Sequence, residues 1–215
     1  MQKSKIEWTD YVWNPIKGIC PVGCWYCYGR RMYQRFKRDP KLSWDGLTPL
    51  LSHLKPSRVF VCSTIEMFHP AINQEWRDDI FEIIKAPHNQ KHTFIILTKM
   101  PERIDRPMPE NVHLGVSVTC PADLWRIDAL SRCHTEVPFV SFEPMLEPVV
   151  PPNGIFLGLK WAIIGKLTGH GKKHDPARDD IELMINGARL FGVPIFMKEN
   201  LKNVWKSNLI QEYPT

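Results

Sequence analysis

Cys20, Cys24 and Cys27 stand in the segment GICPVGCWYCYG as Cys-x3-Cys-x2-Cys, three thiols on one tight loop. Thiolates at this spacing can hold three irons of a [4Fe–4S] cube and leave the fourth iron without a protein ligand, open to an external chelator. Structural zinc is the alternative, but it takes four ligands, usually as two separated pairs, and the chain has no second Cys-x2-Cys. His170 or His174 could complete a zinc site only through long-range folding. A disulfide framework fits less well, because the loop is too short for one and no secretory segment points to an oxidising compartment. Cys62, Cys120 and Cys133 stand apart from the motif and read as small buried thiols.

The elements that must position this loop alternate between strand and helix. Short apolar, β-branched runs occur at Arg58 to Cys62, Thr93 to Leu97, His113 to Val118, Phe139 to Ser141, Trp161 to Ile164 and Pro194 to Met197, each bounded by polar or turn residues. A further strand is expected near Tyr11 to Pro15, just before the cysteines. Helical spacing appears at Gly29 to Lys41, Asn73 to Lys85, Pro121 to Cys133 and Asp175 to Phe191, the last opening on Asp-Pro as an N-cap. Near-continuous apolar strands separated by helices predict an α/β fold with a parallel sheet. A closed eight-unit barrel typically needs about 250 residues. This chain of 215 residues is therefore expected to form an open, partial (β/α)6-type barrel with an extra C-terminal strand, as one domain over 1–215. Within it, 1–19 is the lead-in, 20–27 the cluster loop and 165–174 the candidate substrate loop.

The cysteine loop, with aromatic Tyr26 directly before Cys27, resembles the cluster loop of the radical S-adenosylmethionine (radical SAM) superfamily. A longer resemblance, to a phage- and prophage-associated family of small radical SAM proteins, is carried by stretches spread along the chain. These are KIEWTDYVWNP, VFVCSTIEMFHP, FIILTKMPERI, HLGVSV, FVSFEPMLEPV, WAIIG and GVPIFMKE. The chain departs from that family where relatives tend to read Gly-Gly-Glu-Ser-Gly, having Gly165-Lys166-Leu167-Thr168-Gly169 instead. Its first two cysteines are also closer together than in that family. The resemblance implies a cluster whose open iron is chelated by the methionine part of SAM. It also implies reductive cleavage of SAM to a 5′-deoxyadenosyl radical that takes hydrogen from substrate, with flavodoxin or ferredoxin as the reductant. The implied setting is the cytoplasm of a bacterium or a phage-infected host.

In parallel barrels chemistry sits at the C-terminal ends of strands, and here those ends are polar. Ser63, Thr64 and Glu66 follow the first central run, and the resemblance implies contact of this turn, and of Tyr26, with SAM. Thr98 and Lys99 follow the next run, and Lys99 can bind the SAM carboxylate or an anionic substrate. Ser117 and Glu143 end two later strands and can meet ribose hydroxyls. Lys99 and Glu143 are the candidates for catalysis as well as binding. Each acid or hydroxyl also suits a helix start or an ordinary ion pair.

For substrate, the candidates are Trp13 and Asn14 before the cluster and Lys166, Thr168, His170 and Lys172 after the Trp161 run. The glycines and lysines of that later loop can cradle an anion through backbone N–H groups, although no Walker P-loop is present. The segment GRRMYQRFKRDPK, Gly29 to Lys41, interleaves arginines with Tyr33 and Phe36, a pattern that can follow a phosphate backbone. With a formal charge of +5 and a pI near 8.9, the composition favours a polyanionic partner. The expected substrate is a nucleobase or nucleotide, such as a modified base of phage DNA. A small carboxylated metabolite, a peptide, and a non-catalytic zinc or iron–sulfur nucleic-acid-binding role are the alternatives. No apolar run approaches the ~20 residues needed to cross a bilayer, so no membrane role is expected.

Overall fold

Residues 1–46, 51, 54–150, 152 and 154–214 are described by the computed structural model. The expected apolar runs are strands. In chain order the elements are β1 (Gln2–Lys3), β2 (Tyr11–Trp13), β3 (Ile16–Lys17), α1 (Tyr28–Arg35), β4 (Ser43–Trp44), β5 (Arg58–Val61), α2 (Gln74–Lys85) and β6 (Thr93–Thr98). There follow β7 (Val112–Ser117), α3 (Trp125–Ser131), β8 (Val137–Met145), β9 (Trp161–Lys166), α4 (Arg178–Leu190), β10 (Ile195–Met197) and α5 (Lys202–Trp205). Eight strands form one mostly parallel sheet in the order β1-β2-β5-β6-β7-β8-β9-β10, and β3 pairs with β4 in a separate ribbon. The fold is mixed α/β. No helix among the described residues is long and apolar enough to cross a membrane.

Two compact units divide the chain, 1–105 with 109–113, and 106–108 with 114–215. In the first, β2, β5 and β6 run parallel, with Tyr11 opposite Val59 and Arg58 opposite Thr93, while β1 joins antiparallel. Val59, Val61, Phe94, Ile95 and Ile96 have almost no exposure, as expected of parallel strands covered on both faces. Helix α2 opens where the Asn73 side chain accepts from the Glu75 N–H at 2.9 Å. It buries Ile80, Phe81 and Ile84 on one stripe. Gly18, with φ +111°, lies before the cysteines where an added Cβ would come within 2.6 Å of the Lys41 carbonyl oxygen. Glycine alone fits both the conformation and the space.

In the second unit β8, β9 and β10 run parallel, with a register shift in the β8–β9 pairing between Phe142 and Met145. This irregularity lets the strand continue to Met145, past the Ser141 end expected from its apolar run. Gly115 in β7 lies against the Phe139 ring of β8, where a Cβ would stand 2.3–2.5 Å from three ring atoms. Helix α4 buries Ile181, Met184, Ile185 and Ala188, an i, i+3, i+4, i+7 stripe.

Three helices depart from the stretches expected for them. Helix α4 starts at Arg178 rather than at Asp175, because the Asp175 carboxylate is engaged by Lys166 Nζ at 2.7 Å while Asp180 accepts from the Ala177 N–H at 3.1 Å. Helix α1 ends at Arg35, and Lys37 follows with a left-handed φ of 47° that stops the helix well short of Lys41. The stretch after Cys120 opens as a 3-10 turn at Pro121–Asp123 before α3 begins.

Candidate functional site

The cysteine loop is held by short backbone bonds and one arginine. Gly23, with φ +74°, turns the chain between Cys20 and Cys24, and the Cys27 N–H donates to the Cys24 carbonyl at 3.1 Å. Cys27 then serves as N-cap of α1, its Sγ accepting from the Arg30 N–H at 3.4 Å. Arg30 reaches back to donate through Nη2 to the Cys20 carbonyl at 3.0 Å. Cys20 Sγ accepts the backbone N–H of Glu66 at 3.4 Å, which ties the loop to the segment after β5. Burial pushes the Cys20 thiol above its ordinary range, against the lowering effect of the Glu66 and Val22 N–H groups.

Cys20, Cys24 and Cys27 are all half-buried and in no disulfide. Among the described residues, no three His, Cys, Asp or Glu side chains are drawn into one ligating group. The fit to a metal or cluster therefore lies in the donor chemistry: three thiols on one loop, with backbone N–H groups already directed at two sulfurs. Cys62, just beyond β5, is fully buried, and burial pushes its thiol up to about 12, so it stays protonated and a poor ligand. Its left-handed φ of 54°, rare outside glycine, turns the chain from β5 into the Ser63–Glu66 segment.

Around the cysteines the first unit assembles a polar cluster. Glu66 is only 6% exposed, and its carboxylate accepts from Thr98 Oγ1 at 2.7 Å, from the Lys99 N–H at 2.7 Å and from the Phe68 N–H at 3.3 Å. Thr98 in turn accepts from the Met100 N–H at 2.9 Å. Glu66 thus clamps the turn after β6. This arrangement directs the Lys99 side chain toward the cysteine loop, where Nζ lies 5.8 Å from the Tyr26 ring centroid. The Asn14 amide and Ser63 hydroxyl hydrogen-bond each other at 3.0 Å, and Thr64 is exposed beside them in sequence. Trp13 is a core residue at 2% exposure, with its ring available to no partner from solvent.

The remaining candidates belong to the second unit. Ser117 is buried, and its carbonyl accepts from Arg126 Nη1 at 2.8 Å; Arg126 also pairs with Asp123 at 2.9 Å. Asp123 accepts from both the N–H and the hydroxyl of Thr119, at 2.9 and 2.8 Å. Glu143 is ion-paired with Lys198, which follows β10. That pair crosses Gly165, where an added Cβ would stand 3.0 Å from Lys198 Cδ and 3.1 Å from Glu143 Cδ. Lys166 carries Asp175 on its ammonium, and its backbone carbonyl accepts from Asn200 Nδ2 at 2.8 Å. Between Lys166 and Asp175 the chain carries exposed Thr168 and Lys172 and half-buried His170, turning at Gly169 and Gly171 with φ of 76° and 71°.

Arg126, Lys198 and Asn200 were outside the residues singled out by spacing, because each reaches its partner across a turn or between strands, while Arg30 and Asp175 were read only as part of a basic segment and as a helix N-cap. For Lys198 the Gly-Val-Pro-Ile-Phe-Met-Lys-Glu stretch held a signal, a lysine directly after a fully apolar run.

The chain belongs to a family described as proteins of unknown function, DUF5131, whose model matches residues 3–202. No curated protein and no solved structure matches it.

Proposed function

We propose that this chain is a radical SAM enzyme, built on an open, partial (β/α)6-type barrel and working in the cytoplasm with flavodoxin or ferredoxin as reductant. The observation that carries the reading is the Cys20–Cys27 loop itself: three thiols at Cys-x3-Cys-x2-Cys, with N–H groups of Glu66 and Arg30 directed at Cys20 and Cys27. Cys20, Cys24 and Cys27 would hold a [4Fe–4S] cluster. With SAM bound, that group would relay an electron from the reductant and so supply the chemistry of reductive SAM cleavage and hydrogen abstraction from substrate.

The chain's own residues orient and hold. Glu66 braces the turn after β6, so that Lys99 presents its ammonium beside Tyr26 as a counter-charge for the SAM carboxylate. Asn14, Ser63 and Thr64 offer neutral donors and acceptors on the same unit. Glu143 keeps its partner Lys198, and the pair offers both a proton acceptor and a donor at the end of β8. Ser117 holds its position through Arg126. The 166–174 loop, with Lys166, Thr168, His170 and Lys172, is suited to an anionic substrate, and a nucleobase or nucleotide is the class favoured by the basic composition.

Anaerobic reconstitution with iron and sulfide tests the assignment, followed by dithionite and SAM with 5′-deoxyadenosine as the readout. Wild type is expected to bind about four irons and four sulfides and to form deoxyadenosine, while Cys24→Ala forms none. Stoichiometric zinc in protein purified without oxygen, or a full cluster without deoxyadenosine, would reject the assignment.

A further inference from the structure

Helix α1 is tied to the cysteine loop through Arg30, through the Arg31 N–H on the Cys27 carbonyl at 3.3 Å and through the Tyr33 hydroxyl, which accepts from the Gly18 N–H at 2.8 Å. Segment 28–41 holds six of the chain's 28 lysines and arginines and one of its 23 acids. The rest of the chain is therefore balanced, and the formal charge of +5 resides in this segment alone. Arg35, Lys37, Arg38 and Lys41 are all exposed.

The aromatic residues are as unusual as the charge. An amphipathic helix normally turns its rings inward, yet no residue of α1 is buried. Phe36 is 52% exposed and Tyr28 67%, and Trp25 of the adjoining cysteine loop is 58% exposed. Guanidinium groups lie near two rings of the segment: Arg35 and Arg38 stand 5.5 and 5.6 Å from the Phe36 centroid, and Arg38 stands 5.9 Å from that of Tyr33. Charge complementarity selects a polyanion. Rings interleaved with guanidinium groups select a polyanion that offers a planar base beside each phosphate, which is a single strand of nucleic acid; in a duplex the bases are hidden in the stack.

We infer that the 28–41 segment binds a single strand of nucleic acid, with phosphates on Arg35, Lys37, Arg38 and Lys41 and bases against Phe36 and Tyr28. This deepens the nucleotide part of the function proposed above and needs none of the cluster chemistry. The placement also has a use: Cys27 caps α1 and Arg30 ties the helix to Cys20, so a strand held on α1 is anchored beside the cysteine loop.

Fluorescence anisotropy with labelled 20-nucleotide oligo-dT and oligo-U, a 20-base-pair duplex, and vesicles containing phosphatidylglycerol tests this on reconstituted protein. A Cys20, Cys24 and Cys27→Ser variant is run in parallel. Saturable binding to a single strand is expected in both proteins, and the DNA and RNA arms tell which sugar is preferred. Wild type that forms no deoxyadenosine yet still binds the single strand would therefore sink the catalytic reading alone.

The Arg35, Lys37 and Arg38→Ala variant removes three phosphate contacts, which should lower the slope of log affinity against log salt by about 2. Phe36→Ala should weaken binding between about fivefold and a hundredfold, the range for one base–aromatic stack. Lys202 and Lys206→Ala, which removes two positive charges outside the segment, should stay within about twofold of wild type. The inference is overturned by no saturable binding at 50 mM salt, by a duplex or the vesicles binding as well as the single strand, or by equal losses in the Lys202 and Lys206 control. Should the triple variant misfold by circular dichroism, the Phe36→Ala isotherm decides.

Discussion

At the scale of single residues, Glu66 separates a structural duty from a cofactor contact. Its buried carboxylate accepts one hydroxyl and two backbone N–H groups, from Thr98, Lys99 and Phe68. Removing it would leave the Lys99 N–H and the buried Thr98 hydroxyl without their acceptor in a part-buried turn, a loss of about 1–3 kcal/mol. Glu66→Ala is therefore expected to lower the urea midpoint of cluster-free protein, with Glu66→Gln losing less because the amide oxygen still accepts. A residue that served SAM alone would leave the cluster-free midpoint where it was. The cysteine loop was legible as one group because three thiols stand within eight consecutive residues. Glu66 was legible as an acid at a strand end, but its partner Lys99 lies 33 residues on, and no local pattern encodes a bond that only the pairing of β5 with β6 creates. The Glu143–Lys198 pair, 55 residues apart, escaped for the same reason. Trp13 shows the opposite case: an aromatic beside the cluster loop reads as a stacking residue, whereas burial at 2% exposure makes it core.

At the scale of elements, the strands with uninterrupted apolar runs were readable, and those of two residues were not. β1, β3 and β4 are too short to show a period of two, and they form because neighbouring backbone needs partners. Gly115 within the readable strand β7 has a packing reason that its sequence context hides, namely the Phe139 ring of β8. Placing a methyl group 2.3–2.5 Å from that ring forces the ring or the backbone to move. Overpacking of this kind typically costs about 1–3 kcal/mol. Gly115→Ala should therefore lower the urea midpoint, and adding Phe139→Leu should recover part of the loss, a coupling that a purely local effect of alanine on β7 would not produce. Additive losses in the double variant would mean that ring and glycine do not share that space.

At the scale of the whole molecule, the chain combines a nearly neutral body with one strongly basic segment, so its long-range field and its stability have separate origins. Stability against acid is set by groups whose charge the fold suppresses or holds. His113, near the start of β7, is lowered by desolvation to about 4 from an ordinary 6.5. The folded protein therefore holds fewer protons than the unfolded chain between those two values. Its contribution is complete above about pH 6.5, and it is lost progressively as pH falls through the folded value near 4. Burial raises the Asp10 carboxyl, but its bonds to Arg58 outweigh that and leave it below the usual range, while the Arg189 bond lowers Glu212. These two carboxylates contribute above their unfolded values and lose that contribution as pH falls through their depressed folded ones. The sign is thus the same for all three, but His113 acts over a higher window. Thermal unfolding should show a melting temperature that begins to fall near pH 6.5, before the carboxylates titrate. His113→Gln, which keeps a neutral polar side chain of similar reach, should flatten the profile between pH 6.5 and 4.5 and leave the steeper decline below pH 4 in place. An unchanged profile in that variant would assign the upper window to another group.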